Sequence, residues 1–206
     1  MQSVNVRFLG HASFILKSSV TVAIDPFDIS FNEKADYIFI THSHYDHCSQ
    51  EDIKKISNYD KTVIICTRDC RDKLKKLAKK VITVEPSKTY DTGIRFKTIP
   101  AYNIIKPFHP KSNNWVGYFI YLGQSVYHTG DTDFVPEMKD LKPDILLIPI
   151  GGTYTMDASE AAEAAKDISP GKAIPMHYGK IIGSREDAET FKNLCSIPVE
   201  ILKPEG

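Results

Sequence analysis

Residues 37–47, Tyr-Ile-Phe-Ile-Thr followed by His-Ser-His-Tyr-Asp-His, constrain this chain more than any other stretch. The apolar, β-favouring run reads as a strand buried on both faces. It delivers His42, His44, Asp46 and His47 together to one of its ends. Where the extended backbone persists, His42 and His44 project to the same side, about 6–7 Å apart at the backbone. Both then reach a single cation. Asp46 and His47, placed where the chain turns, reach a second position beside the first. Four such donors crowded together without a cation are hard to solvate and to pair. Imidazole with carboxylate suits zinc, and manganese and iron accept the same ligands.

Around that strand the chain alternates short β-patterned runs with helical ones. Strands are expected at 4–9, 13–17, 20–25, 62–66, 81–84, 94–99, 116–122, 125–128, 145–150, 173–176 and 199–202. A helix should start at Ser49, with Asp52 facing its free amides. Another should start at Thr67, with Cys70, Leu74 and Leu77 as its inward stripe. Asp157 and Glu160 have capping-box spacing ahead of an alanine-rich helix, and residues 184–195 form the last one. Residues 100–115 carry Pro107 and Pro110 and read as a long irregular loop, of the kind that is either mobile or functional. Tyr102, Phe108 and Trp115 in it are expected to shape a pocket for an apolar or planar group. Strands with a helix pair, then strands with another pair, imply an α/β (α+β) chain in a four-layer αββα sandwich. One domain over residues 1–206, with pseudo-symmetric halves, is the expectation, since 206 residues suit one core.

Charge sets limits on partners. Lys+Arg and Asp+Glu stand at 26 each, so no global field attracts nucleic acid or an anionic membrane. The lysines between Lys73 and Lys80 read as a solvated helix face. No apolar stretch approaches the roughly 20 residues of a membrane span, and the first residues lack a signal-peptide pattern. Cys48, Cys66, Cys70 and Cys195 are scattered and read as buried thiols of a reducing compartment. The expectation is a cytoplasmic protein acting on a small molecule.

All seven histidines (His11, His42, His44, His47, His109, His128 and His177) fall at strand ends or in adjoining loops. Strand ends along one sheet edge are where a site can be assembled from remote sequence. His11, at a glycine turn after the first strand, is expected to contact substrate, to shuttle a proton, or to be a hydrogen-bonded structural residue. His128 is expected to pack or to support a neighbour. Gly151-Gly152-Thr153-Tyr154, after a buried strand, carries glycines that could let backbone approach a substrate.

His42-x-His44-x-Asp46-His47 after an apolar strand resembles the signature of the metallo-β-lactamase superfamily. Ile24-Asp25-Pro26, Gly130-Asp131-Thr132 and Pro175-Met176-His177-Tyr178-Gly179 resemble its other motifs, so the likeness spans nearly the whole chain. Leu9-Gly10-His11-Ala12-Ser13 is similar to the branch with ascorbate-6-phosphate lactonase and N-acyl-phosphatidylethanolamine phospholipase D. The resemblance implies two metal ions, zinc foremost. His42 and His44 would hold the first, Asp46, His47 and His177 the second, and Asp131 would bridge. Asp25 would orient a ligand histidine. The family supplies a third histidine to the first metal where Asn103 stands here. Either His109, six residues on, takes over, or Asn103 or water completes a weaker site. His109 is the expectation.

The implied chemistry is hydrolysis of a phosphodiester, lactone or related ester by water held between the metals. Asp46 would bind metal and orient that water, and His11 or His109 would protonate the leaving group. A diiron oxidoreductase on the same fold competes, but such sites resemble this one less, since they carry glutamate where His44 stands. A non-catalytic metal- or ligand-binding module also competes, and Asn103 is the feature that favours it.

Overall fold

A computed structural model of the chain describes residues 3–30 and 32–205. Its first sheet takes β1 (Asn5–Gly10), β2 (Ser13–Lys17), β3 (Thr21–Ile24), β4 (Tyr37–Ile40), β5 (Val63–Thr67) and β6 (Lys80–Val84) in chain order. β1 to β3 are antiparallel and β3 to β6 parallel. The second sheet repeats the scheme with β7 (Thr89–Asp91), β8 (Arg95–Pro100), β9 (Val116–Leu122), β10 (Gln124–His128), β11 (Ile145–Pro149) and β12 (Lys172–Met176). Strands β7 to β10 are antiparallel, and β11 and β12 join in parallel. Parallel neighbours need crossovers; loops join β3 to β4 and β10 to β11, and helices supply the others. α1 (Gln50–Ile56) links β4 to β5, α2 (Arg71–Leu74) links β5 to β6, and α3 (Ala158–Ile168) links β11 to β12. α4 (Arg185–Leu194) packs beside α3.

Side-chain alternation builds the layers. In β4 and β5, Ile38, Ile40, Ile64 and Cys66 join Ile53, Ile56, Cys70 and Leu74 in a cluster under α1 and α2. Phe39 and Ile65, the residues between, enter the main core with Phe96, Tyr118 and Ile120 of the other sheet. The Phe39 ring lies edge-on to Phe96 at 5.0 Å and to Tyr118 at 4.8 Å. The buried Tyr118 hydroxyl donates to the Ile40 carbonyl at 2.8 Å, which stitches the sheets together two residues before the histidine motif. Ala161, Ala162, Ala164 and Ala165 bury one side of α3, where small side chains permit close approach to the sheet. The αββα sandwich is as the sequence implies.

Four local expectations are corrected. β7 was not anticipated, since three half-polar residues carry no pattern; it exists because β8 pairs with it. Thr67 does not cap α2, which spans only four residues and has no side-chain cap; its hydroxyl donates to Asp69 at 2.6 Å instead. Residues 199–202 form no strand, only a single bridge from Val199 to Ala173. Ser49 does cap α1, but the Asp52 carboxylate, rather than facing the helix's free amides, accepts from the amides of Asp28 at 2.8 Å and Ile29 at 3.3 Å and from the Ser49 and Lys55 side chains. Among the described residues, no helix is long and apolar enough to cross a membrane.

Candidate metal centre

The site residues follow strand ends, except His109, which lies within the loop between β8 and β9. β4 stops at Ile40, and Thr41 begins the turn that carries His42, His44, Asp46 and His47. Asp25 ends β3, His11 follows β1, Asp131 follows β10 and His177 follows β12. His11, Asp25 and His177 adopt left-handed backbone (φ 54°, 43° and 60°), a conformation costly for non-glycine residues and often found where function fixes a side chain. The amide of His177 donates to the His11 carbonyl at 2.6 Å, tying the last strand of one sheet to the first turn of the other.

Asp131 is the hub. Its Oδ2 lies 3.0 Å from His177 Nε2, 3.3 Å from His47 Nε2, 3.3 Å from His109 Nε2 and 3.9 Å from His42 Nε2. His42 Nε2 lies 3.1 Å from His44 Nδ1. Two sets of donor atoms each converge within 4.8 Å: His42, His44 and His109, and His11, Asp46, His47 and His177. Asp25, His42 and His47 form a third such group.

These donors fit divalent cations. Two tetrahedral zinc–nitrogen bonds of about 2.05 Å set their nitrogens about 3.3 Å apart, which is the spacing seen around Asp131. The buried atoms His47 Nε2, His109 Nε2, His177 Nε2 and Asp131 Oδ1 have no hydrogen-bond partner. Orphaned polar atoms are rare in protein interiors, and bound cations would satisfy them.

The opposite nitrogens of His47, His42 and His109 are anchored, whereas His177 Nδ1 has no hydrogen-bond partner. His47 Nδ1 lies 2.8 Å from Asp25 Oδ2. Asp25 also accepts the Thr41 amide at 2.8 Å and the Thr41 hydroxyl at 2.6 Å. With its proton committed to Asp25, that hydroxyl accepts from His42 Nδ1 at 2.9 Å. Asn103 Oδ1 stands 2.9 Å from His109 Nδ1. Each contact fixes the tautomer that turns an Nε2 lone pair to the centre.

The electrostatics agree. Burial drives His42 well below its usual range, with His47 adding to the effect; burial and His109 likewise lower His44. Burial takes His11 down to about 4, against its bond to Asp46. Burial alone would raise Asp46, yet the His11 bond and the neighbouring His47 bring it to about 2. Asp131 likewise resists its burial, held well below the carboxylate range by His177 and His47. Ionised carboxylates and neutral imidazoles are the forms that ligate metal. His47 differs: burial lowers it, but Asp131 and Asp25 on either side outweigh that and raise it.

The sequence-expected residues come together, with refinements. His109 converges with His42 and His44, and Asn103 Oδ1 contacts its Nδ1. His11 is fully buried behind Asp46, 3.0 Å from its Oδ2, and does not line the cavity over the centre. His128 is a packing residue, bonded to the Ala12 carbonyl at 2.9 Å and to the Gly130 amide at 3.1 Å. Phe108 lines the cavity, whereas Tyr102 turns to Glu137 and Lys111. Trp115 packs behind His42 and His44, its ring 4.8 Å from each.

Sequence reasoning missed Ile181 and Tyr45 as cavity residues, and Asp133 as an anchor. Asp133 binds the Asn103 side chain at 3.1 Å, the Ile104 amide at 2.9 Å and Lys106 at 2.8 Å. Its position two residues after Asp131 was the available signal. Gly151 serves the protein rather than a substrate: a Cβ there would meet the His177 carbonyl at 2.5 Å.

A family model described as Beta-lactamase superfamily domain matches residues 5–177, and the chain belongs to that superfamily, on its metallo-β-lactamase fold. Within it, the chain stands with the metal-dependent hydrolases. It is 35% identical to the UPF0173 metal-dependent hydrolase of Thermoplasma acidophilum, across 100% of this chain and 97% of that one. A crystal structure from Parabacteroides distasonis superposes with a TM-score of 0.86 at 31% identity, covering 98% of this chain and 94% of the other. Igni18, a metallo hydrolase of Ignicoccus hospitalis, superposes with a TM-score of 0.80 at 25% identity, covering 98% and 95%.

Proposed function

We propose that the chain is a two-zinc hydrolase that cleaves an ester or lactone with water. The observation that carries this is the placement of Asp131 Oδ2 within 3.9 Å of four imidazole nitrogens drawn from three other segments. His42, His44 and His109 are assigned to one ion, Asp46, His47 and His177 to the other, and Asp131 to both. A nitrogen-rich donor set with two carboxylates suits zinc over magnesium or calcium.

When bound, the two ions would lower the pKa of water from about 15.7 to near 7 and polarise the carbonyl whose carbon is attacked. The protein residues hold and move the proton. In R–CO–OR′ the water oxygen bonds to the carbonyl carbon, the bond to the alkoxy oxygen breaks, and the proton lost by water ends on the leaving alkoxide. Asp46 is the cavity carboxylate placed to hold that proton in between. His11 is a positioning residue: its contact with one Asp46 oxygen leaves the other for cation or proton. Asp25, Thr41 and Asn103 keep the imidazoles turned inward. The glycine turn before His11, similar to the lactonase and phospholipase D branch, fits an oxygen-ester bond.

The test combines metal analysis with kinetics. Close to two zinc ions per chain are expected, and an Asp46→Ala protein that stays folded should lose at least 100-fold in rate, the span of general acid–base catalysis. A folded Asp46→Ala protein with wild-type rates removes that assignment.

A further inference from the structure

The cavity over the centre has a volume of about 250 Å³. On one side stand the polar groups described above. The other side is apolar: Tyr45, Phe108, Tyr154 and Ile181. None of the described lining residues is Lys or Arg. The lysines flanking it are committed elsewhere, Lys106 to Asp133 at 2.8 Å and Glu160 at 3.3 Å, and Lys180 to Asp28 at 2.6 Å.

Apolar side chains also gather at its mouth. Eight large hydrophobic side chains are exposed among the described residues. Three of them line this cavity: Tyr45 (69% exposed), Phe108 and Ile181. They come from three separate segments, and such concentrated exposure marks a binding surface more often than an accident of packing. Two of the rings are braced. Phe108 stands edge-on to Tyr154 at 4.7 Å, and Tyr45 edge-on to Phe27 at 5.7 Å. Braced aromatic walls accept an apolar group at low entropic cost.

Building on the hydrolase reading, we infer that the substrate is an uncharged carboxylic ester or lactone bearing an apolar group of about aromatic-ring size. That group rests on Tyr45, Phe108, Tyr154 and Ile181, which set the specificity. Metal ions held by the histidine and aspartate donors would receive the reacting oxygen. Beyond that point the cavity offers no protein cation to a second anionic group, so a phosphorylated substituent finds no partner. Desolvating a charge against aromatic rings without a partner is unfavourable.

Metal-chelating hydroxamates test this without turnover. On the zinc-loaded protein, phenylacetohydroxamate should bind about 10-fold or more tightly than acetohydroxamate, by calorimetry. That advantage should shrink to about 3-fold or less in F108A and I181A, both exposed positions whose folding is checked by circular dichroism. Equal binding of the two hydroxamates overturns the inference and leaves the metal centre standing. Binding of neither overturns the hydrolase reading and this inference with it. In a parallel assay, kcat/KM for a phenyl-substituted γ-lactone should exceed that for a phosphorylated sugar lactone by about 10-fold or more; the reverse order overturns the apolar assignment alone.

Discussion

Asn103 Oδ1 accepts from His109 twice, from its backbone amide at 3.0 Å and from its ring Nδ1 at 2.9 Å. Under the proposed assignment of His109 to a metal, the asparagine is the group that holds that ligand in place. Asn103→Ala removes the acceptor that fixes the tautomer and angle of His109. Zinc affinity at one of the two equivalents should fall about 10–100-fold, the usual cost of losing such support. Asn103→Asp keeps the acceptor but turns the Nδ2 donor, which binds Asp133 at 3.1 Å and the Tyr154 carbonyl at 3.0 Å, into an oxygen facing both, so it should not restore wild-type affinity. Competition titration with a chromophoric chelator measures both, and an alanine variant with unchanged affinity at both sites refutes the assignment.

That pairing also shows where sequence reading stops. His42-x-His44-x-Asp46-His47 is legible because its donors share one turn, so local geometry suffices. The layers were legible for a similar reason: Ile38, Phe39 and Ile40 alternate between two cores, a local consequence of the strand pleat. His109 reaches the centre because Asp133 and Asn103 fold the 103–109 loop back on itself, through contacts spanning 30 residues and six. No periodicity encodes such contacts. β7 was invisible because its three residues gain their pairing from β8. Residues 199–202 looked like a strand because their composition is apolar, yet only Val199 finds an edge partner.

Asp25 holds two structures at once. It accepts the amide and hydroxyl of Thr41 and contacts His47 Nδ1, all fully buried. Asp25→Ala strands three donors in the interior, at about 3 kcal/mol or more in stability. Chemical denaturation of the metal-free protein isolates this loss from any effect on zinc. A variant within about 0.5 kcal/mol of wild type contradicts the account.

Asp52 makes a pH-dependent contribution away from the centre. Burial would raise its carboxyl, but Lys55, Ser49 and the amides of Asp28 and Ile29 outweigh that and hold it below the usual range. A depressed folded-state pKa stabilises at pH values above the unfolded-state pKa of about 3.9, and the gain disappears as pH falls through the folded-state value. Asp52→Asn should therefore cost about 1 kcal/mol at pH 7. The gap from wild type should close progressively below about pH 4. Urea titrations across that range give both numbers, and a gap that widens in acid contradicts the sign.

Removing metal should destabilise the whole sandwich, because the donors come from both sheets. A zinc excess of about 100-fold over Kd adds about 2.7 kcal/mol to the folded state. For a chain of this size that is about 5–10 °C in Tm. Asp131→Ala, which withdraws the shared carboxylate, should abolish most of the zinc-dependent shift. Scanning calorimetry with and without chelator reads it directly. Equal Tm values for the wild type in both conditions would show that the orphaned donors are not metal ligands.

The closest backbone approach at the centre predicts a sharper contrast between adjacent glycines. A Cβ on Gly151 would stand 2.5 Å from the His177 carbonyl, 2.8 Å from Ile182 Cγ2 and 3.1 Å from His177 Nδ1. The tip of Ile182 can rotate aside. The carbonyl cannot, since the His177 amide is bonded to His11 and its backbone is already left-handed. Gly151→Ala should therefore push His177 away from Asp131 and lower zinc occupancy at one position. Gly152, at φ +83°, has no contact nearer than Asp157 Cβ at 3.6 Å. Alanine there strains only its own backbone, at about 1 kcal/mol, and His177 stays in place. Zinc stoichiometry after dialysis should fall from two towards one in Gly151→Ala and remain at two in Gly152→Ala. Equal stoichiometry in the two variants would mean that the Gly151 approach does not position His177.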